Sequence, residues 1–367
     1  MLEKILAEKI HSSGPVNFSE FMNLALYKKE LGYYSTNRIG EKGDFITSTH
    51  VHPLFGSLIG KQLIQIWEFM DKPNPFYIFE FGGAPGTLAK DLINYCSKNN
   101  PTFLKQMKYV IIDSSPVTEK KILHINSVKE LKEIPKIGCV ISNELIDSLP
   151  TRRFQKTTNG FKEIFIDFIE EKFQFKLLEI TDKKILKTLL NNYENIPSES
   201  KIEFNENLPK LANDFYKILD QGFVITIDYG FNSPNIENNQ IYYNSFRCYY
   251  NHNSDQNPLT DIGKKDMTYD IDFNLWNKNL TAVGFDYYKS VNQSNFLINL
   301  GFKNFLNQIR ESNLPENQKN LNRKAMLDLI KPNGLGRFTV QAHSKNIEKK
   351  IHLDGFSINK HNYLSKY

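Results

Sequence analysis

A strand, a turn of small residues and a helix follow one another near residue 80, and this segment restricts the fold more than any other. The apolar run Phe76–Phe81 predicts a buried strand, and the spacing within Thr87–Cys96 predicts a helix. Small residues in the turn Gly82–Gly86 let a ligand approach the backbone, while the helix offers free N–H groups and the positive end of its dipole. The segment therefore indicates a ligand-binding strand–turn–helix unit.

The spacing within this turn differs from that of a dinucleotide-binding loop. Gly82, Ala84 and Gly86 are separated by two residues in each step, whereas the dinucleotide fingerprint GxGxxG has steps of two and three. The two-and-two spacing preceded by an acid, here Glu80, is typical of the first motif of S-adenosylmethionine (SAM) methyltransferases. A tight structural turn that binds no ligand is the alternative interpretation.

Strand and helix patterns alternate along much of the chain. Further buried strands are predicted at Met107–Asp113, Ile137–Asn143 and Gly222–Tyr229, with a closing strand at Gly336–His343 after a helical stretch. Because strands that alternate with helices form parallel sheets, we predict an α/β fold with a mostly parallel sheet covered on both faces. A period of two over residues 161–180 predicts an antiparallel hairpin.

The domain boundaries follow from the same patterns. Residues 1–72 are predicted to form an N-terminal helical region, residues 73–345 the α/β domain, and residues 346–367 a loosely attached extension. Insertions into the α/β domain are predicted at about 155–205 and 232–270. The second insertion is rich in asparagine and aromatic residues, which favours a lid over a core segment.

Composition and charge exclude several classes of protein. Apolar residues make up 40% of the chain, which is enough for a large core and excludes a disordered chain. The net charge of +5 without a long basic run gives no reason to expect a nucleic-acid partner. Cys96, Cys139 and Cys248 form no CxxC pair, which favours a reducing compartment and argues against a structural zinc site.

The apolar runs and the first residues suggest a location. No apolar run approaches the roughly 20 residues that a bilayer span needs. The opening MLEKILAEKIHSSG has no signal-peptide core, its apolar residues recur at helical spacing, and its two glutamates argue against a mitochondrial transit peptide. We therefore expect a cytoplasmic protein of bacterial type with no membrane span.

Acidic and amide side chains stand at the ends of two predicted strands. Asp113 ends the second strand, where a carboxylate can accept hydrogen bonds from both ribose hydroxyls, although it or Ser114 could also cap a helix from Pro116. Asn143, Glu144 and Asp147 follow the third strand. The two carboxylates could hold a guanidinium by bidentate hydrogen bonds, or they could simply begin a helix.

Five segments together resemble a known family: Gly43–Ser48 (GDFITS), EFGGAPGTL, SNELIDSLPTRRF, IDYG and DMTYDIDF. In this order, from about Gly14 to His343, the chain resembles the MidA-like class I methyltransferases. The resemblance implies a Rossmann-like sheet with an antiparallel last strand, SAM as methyl donor and protein arginine as substrate. Mitochondrial members of the family methylate a subunit of respiratory complex I during its assembly.

The resemblance also implies site residues, which we carry over only where this chain matches. The implied catalytic residues are Glu144 and Asp147. The implied cofactor-binding residues are Gly43, Phe45, Thr47, Ser48, Glu80, Gly82, Gly83, Gly86, Asp113, Ser114 and Asn143. The segment Gly43–Ser48 matches a family loop that covers the cofactor. The family usually has glutamate where this chain has Asp113 and a glycine where it has Ala84. Residues 49–52 (THVH) replace the usual Pro-Glu-Ile-Ser, and Ser57 replaces a usual glutamate.

Some features allow more than one interpretation. His50 and His52 could form a metal pair, but no third ligand has matching spacing, so a polar loop is favoured and no metal is predicted. Arg152 and Arg153 could form salt bridges or bind a substrate carboxylate, and Arg247 is a further candidate contact. For the whole chain, the alternatives to a methyltransferase are an inactive methyltransferase fold that acts as an assembly chaperone and a nucleotide-dependent oxidoreductase. The sequence does not give the oligomeric state.

Overall fold

The computed structural model describes residues 1–36, 47–119, 122–131, 136–231, 243–250, 253–348 and 351–357. The helices of these residues are α1 (Leu2–Ser13), α2 (Phe18–Tyr27), α3 (Ser48–Val51), α4 (Leu54–Phe69), α5 (Thr87–Asn99), α6 (Pro101–Gln106), α7 (Lys183–Tyr193), α8 (Leu208–Ile218), α9 (Phe273–Ala282), α10 (Gln293–Asn299), α11 (Phe302–Glu311) and α12 (Glu316–Asp328). The strands are β1 (Val16–Asn17), β2 (Phe76–Phe81), β3 (Met107–Ile112), β4 (Leu123–Ile125), β5 (Lys136–Asn143), β6 (Arg152–Thr157), β7 (Gly160–Ile169), β8 (Lys172–Leu178), β9 (Lys201–Phe204), β10 (Leu219–Asp228), β11 (Gly230–Phe231), β12 (Arg247–Tyr250), β13 (Asn253–Asp255), β14 (Asp266–Thr268), β15 (Ile271–Asp272), β16 (Asp286–Asn292) and β17 (Thr339–Lys345). None of the helices in these ranges is long and apolar enough to cross a membrane.

The chain divides into two compact units at places other than the predicted domain boundaries. The first unit contains Met1–Phe45, Ile146–Pro209 and Phe231–Asn274, and the second contains Ile46–Leu145, Lys210–Gly230 and Leu275–Tyr367. Each unit has a hydrophobic core of its own.

The second unit contains a seven-stranded sheet in the order β16-β17-β10-β5-β2-β3-β4. Strand β17 runs antiparallel to both of its neighbours, and the other pairs of adjacent strands are parallel. The apolar side chains of β2, β3 and β5 are buried because helices such as α4 and α5 pack against the sheet. The prediction of an α/β fold with a mostly parallel sheet is confirmed. Parallel strands align their carboxyl ends, so Glu80, Asp113 and Asn143 lie at one edge of this sheet.

Among its described residues, the first unit contains two antiparallel sheets of three or more strands. One has the order β1-β7-β6-β9 with β8 also paired to β7, and β7 and β8 form a hairpin within the residues where the period of two predicts one. The other has the order β13-β12-β14. Leu2, Leu6 and Ile10 are the buried face of α1, as their helical spacing predicts.

Two expectations differ from the structure. Phe246, Cys248 and Met267 of the predicted lid region are buried in the core of the first unit, because this part of the region forms short paired strands. The remaining residues 232–242 and 251–252 lie outside the described residues. Part of the predicted loose extension also packs, since Leu353 and Phe356 are buried in the core of the second unit.

Candidate functional site

The turn after β2 is closed by backbone hydrogen bonds and two left-handed glycines. Gly82 has a φ of 71° and Gly86 a φ of 102°, which side chains disfavour. The Gly82 N–H donates to the carbonyl oxygen of Ile112 at 3.0 Å, and the Gly86 N–H donates to the carbonyl oxygen of Gly83 at 2.7 Å. Helix α5 starts directly after Gly86, so its free N–H groups lie beside this turn.

The carboxyl group of Glu80 lies beneath the turn. Its Oε2 accepts a hydrogen bond of 2.8 Å from the Tyr109 hydroxyl, and only 3% of the residue is exposed. A Cβ atom at position 83 would lie 2.5 Å from the Glu80 Cδ, so the carboxyl group occupies the space beside Gly83. The pKa of Glu80 is raised to about 8, mainly by burial. The Tyr109 hydrogen bond lowers this pKa, and the charge of Asp113 raises it.

Asp113 joins the turn to the end of β3. Its Oδ2 accepts a hydrogen bond of 3.0 Å from the Ala84 N–H, and its Oδ1 accepts one of 2.7 Å from the Ser115 N–H. Residues 116–119, which the structure describes up to the next gap, are not helical, so Asp113 and Ser114 cap no helix that begins at Pro116. The carboxylate instead fixes the turn, with the exposed Ser114 beside it.

A second group of predicted residues meets at the end of β5. Glu144 has a left-handed backbone with a φ of 50°, and its Oε1 accepts hydrogen bonds from the Ser48 N–H at 2.9 Å and the Asn143 Nδ2 at 3.2 Å. Because Nδ2 of Asn143 donates this hydrogen bond, the amide oxygen Oδ1 points away from Glu144. This buried oxygen has no hydrogen-bond partner among the residues that the structure describes, and it suits an N–H donor of a ligand.

The polar residues around α3 bond to one another. The Oγ1 of Thr47 lies 2.6 Å from the Nδ1 of His50, and the Nδ1 of His52 accepts a hydrogen bond from the Leu54 N–H at 3.0 Å. Within the described ranges no three His, Cys, Asp or Glu residues are grouped so that they could hold a metal ion. Gly43 and Phe45, predicted to bind the cofactor, lie outside the described residues.

The arginines after β5 bind carboxylates of the first unit. Arg152 forms a two-pronged ion pair with Glu163, and Arg153 donates to Glu203 at 2.9 Å. Of the two interpretations of these arginines, the contacts therefore fit the salt bridges. In the same unit, Asp147 is buried, and Arg247 pairs with Asp270.

The structure thus brings Glu80, Gly83, Ala84 and Asp113 together, and separately Ser48, Asn143 and Glu144. The sequence pattern does not identify Tyr109, because its place on the same face of the sheet as Glu80 follows from the register of β3 against β2. Carboxylates suit a ligand's ammonium and ribose hydroxyls, and the N-terminus of α5 suits a carboxylate. This set of donors and acceptors fits an amino-acid nucleoside such as SAM.

Solved structures share this fold. A crystal structure from Burkholderia thailandensis, of a protein bound to S-adenosyl-homocysteine (SAH), matches with a TM-score of 0.84 at 21% identity, covering 99% of this chain and 96% of that one. A second, native structure from the same organism matches with a TM-score of 0.83 at 22% identity and the same coverage.

Curated relatives are similar along most of the chain. The mitochondrial protein arginine methyltransferase NDUFAF7 of Xenopus tropicalis is 29% identical over 80% of this chain and 74% of its own. The Homo sapiens protein of that name is 25% identical, over 81% and 72%. The Drosophila melanogaster homolog is 26% identical, over 87% and 79%. These names contradict the prediction of a bacterial-type cytoplasmic location, which is wrong. Buried free cysteines are compatible with any reducing compartment, and a folded first helix does not determine the cellular location.

A family model settles the relationship. The model of the S-adenosyl-L-methionine-dependent methyltransferases matches residues 58–290, which include the turn at Gly82–Gly86, Asp113 and Glu144. The match confirms the MidA-like resemblance and SAM as the cofactor, and it favours a methyltransferase over the oxidoreductase alternative. The chain belongs to this family of SAM-dependent methyltransferases.

Proposed function

We propose that the protein transfers the methyl group of SAM to an arginine side chain of a partner protein. Two observations support an arginine acceptor. The curated relatives are named protein arginine methyltransferases, and a carboxylate, Glu144, stands at the carboxyl end of the central strand β5. A planar carboxylate matches the planar guanidinium by two parallel hydrogen bonds, which the ammonium of lysine cannot form.

We place SAM at the edge formed by the turn after β2 and the end of β3. Glu80 would accept a hydrogen bond from its ammonium, Asp113 would accept the ribose hydroxyls, and the free N–H groups at the start of α5 would bind its carboxylate. The closed turn and its hydrogen bond to Asp113 support this placement, since both fix the backbone before a ligand arrives. Thr47, Ser48, Gly82, Gly83, Gly86, Ser114 and Asn143 complete the proposed site.

Glu144 is the residue that we propose to bind the acceptor arginine. Its left-handed backbone is costly for a residue with a side chain, and such strain concentrates at functional sites. The Ser48 N–H and the Asn143 amide hold the carboxylate in one orientation. We propose that this carboxylate orients the guanidinium. The catalytic role of Asp147 stays a prediction from the family resemblance.

The bound cofactor supplies an electrophilic methyl group on a sulfonium. Transfer of this methyl group to a guanidino nitrogen would leave SAH and release one proton to the solvent. The contribution of this chain is to position the nitrogen in line and to stabilise the positive charge, because methyl transfer needs little covalent help. The fixed carboxylate of Glu144 does both.

Labelled SAM tests the proposal. Lysate from cells that lack this protein supplies unmethylated acceptors, and a subunit of respiratory complex I, which the family resemblance implies, is the first purified acceptor to add. We expect label in methylarginine after acid hydrolysis. Labelled lysine or glutamine, or no labelled protein, would contradict the arginine assignment.

Glu144→Gln keeps the shape and removes the charge. We expect methyl transfer to fall at least about tenfold while SAH binding persists. Glu68→Gln, which changes an exposed acid of α4 in the same unit, is the matched control and should keep full activity. Equal activity of Glu144→Gln and the control would contradict the role of Glu144.

A further inference from the structure

Tyr109 lies on β3, next to the strand that carries Glu80, and on the same face of the sheet. Its direct partner across the strands is Ile78, two residues before Glu80, so the Tyr109 ring reaches diagonally to the carboxyl group. The hydroxyl donates to Oε2 at 2.8 Å. Only 7% of Tyr109 is exposed, so water does not compete for this bond.

The two oxygens of Glu80 differ in their surroundings. Oε2 accepts the Tyr109 bond and lies 2.7 Å from where a Cβ of residue 83 would be, whereas Oε1 accepts no hydrogen bond from the residues that the structure describes. The Tyr109 hydroxyl therefore fixes the orientation of the Glu80 carboxyl group, with Oε1 as the oxygen that does not bind the tyrosine. A carboxylate fixed in this way is prepared for a cationic N–H donor.

We infer that Tyr109 is a positioning residue for the cofactor, acting through Glu80 on the ammonium group of SAM. The inference rests on the proposed placement of SAM over the turn Gly82–Gly86. The hydroxyl holds the carboxyl group beside Gly83 and stabilises its charged form, which is the form that binds an ammonium. A phenylalanine at position 109 would keep the ring and lose both effects.

The neighbouring titratable groups leave Glu80 as the group that responds near neutral pH. Burial raises the pKa of Tyr109 well above its usual value, and it also raises the pKa of Cys139 on β5. Burial raises the pKa of Cys96 on α5 to about 12. All three groups therefore stay neutral near pH 7. Asp113 is a neighbour whose negative charge raises the pKa of Glu80. Loss of the Tyr109 bond raises the pKa of Glu80, so less of the carboxylate is charged at neutral pH.

Binding of two ligands to Tyr109→Phe tests the inference. SAH carries the ammonium group, whereas 5′-methylthioadenosine has the same nucleoside without the amino-acid part. We expect SAH to bind at least about fivefold more weakly at about pH 6.5, the deficit to shrink by about pH 8.5, and the affinity for 5′-methylthioadenosine to stay unchanged. Tyr77→Phe is the matched control, because this β2 hydroxyl makes no hydrogen bond to the described residues.

The role of Tyr109 and the placement of SAM are tested by different results. Equal losses for both ligands at every pH, or no loss for SAH, would overturn the role of Tyr109. Failure of the parent protein to bind SAH would instead overturn the cofactor placement. Gly83→Ala, which displaces the Glu80 carboxyl group by its methyl group, should reproduce the selective loss if Tyr109→Phe does not fold. Combining Tyr109→Phe with Glu80→Gln should weaken SAH binding no more than Glu80→Gln alone.

Discussion

The carboxylate of Asp113 accepts a hydrogen bond of 3.0 Å from the backbone N–H of Ala84, which joins the end of β3 to the turn after β2. A residue proposed to bind the ribose is thus also part of the structure of the turn. Its second oxygen binds the Ser115 N–H, so the carboxylate is held in one orientation before any ligand arrives.

Replacing this carboxylate should weaken cofactor binding. We expect Asp113→Ala to raise the dissociation constant of SAH about tenfold to a hundredfold, because a charged hydrogen bond contributes about 1.5–3 kcal/mol. Asp286→Ala, an exposed acid on β16 of the same unit, is the control. Equal SAH affinities of the two variants, measured by calorimetry, would remove Asp113 from the site.

The buried Glu80 should make stability depend on pH. Its pKa is about 8 in the folded protein, above the ordinary value of 4.5, so folding favours the protonated form. Its contribution to the free energy of unfolding is complete below pH 4.5 and is lost as the pH rises through about 8. Glu80→Gln should therefore gain stability relative to the parent as the pH rises, while it binds SAH more weakly. Parallel curves of melting temperature against pH would contradict this prediction.

Arg153 should stabilise the first unit without contributing to cofactor binding. Its guanidinium pairs with Glu203, whose side chain is 1% exposed, and stacks on Phe18 and Phe246. Arg153→Met leaves a buried carboxylate unpaired, which should lower the free energy of unfolding by about 3–5 kcal/mol in urea titrations. Adding Glu203→Met should restore much of the loss. A folded Arg153→Met protein with weakened SAH affinity would point to a binding role instead.

Sequence patterns identified the buried part of the sheet. Strand β2 has the predicted bounds because its apolar run ends at Gly82, where the backbone turns left-handed. Strand β16 was missed: its sequence DYYKSVN is polar, it lies at the edge of the sheet, and helices surround it in the chain. An edge strand buries too little to show a clear period.

Some residues of the candidate site could also be predicted from the sequence, whereas their contacts could not. Glu80 and Asp113 could be found because parallel strands present the residues at their carboxyl ends to a ligand. The role of Tyr109 depends on the register of β3 against β2, and the Ala84 contact depends on the shape of the turn. The partners of Arg152 and Arg153 lie on strands β7 and β9, about ten and fifty residues further along the chain, so neighbouring residues carry no sign of them.

Calorimetric titration of the parent protein with SAH and with NAD⁺ tests the central claim, that the turn after β2 and Asp113 form a SAM site. SAH should bind one-to-one, NAD⁺ should not bind, and Asp113→Ala should lose affinity for SAH. Binding of NAD⁺, or the absence of SAH binding, would contradict the account.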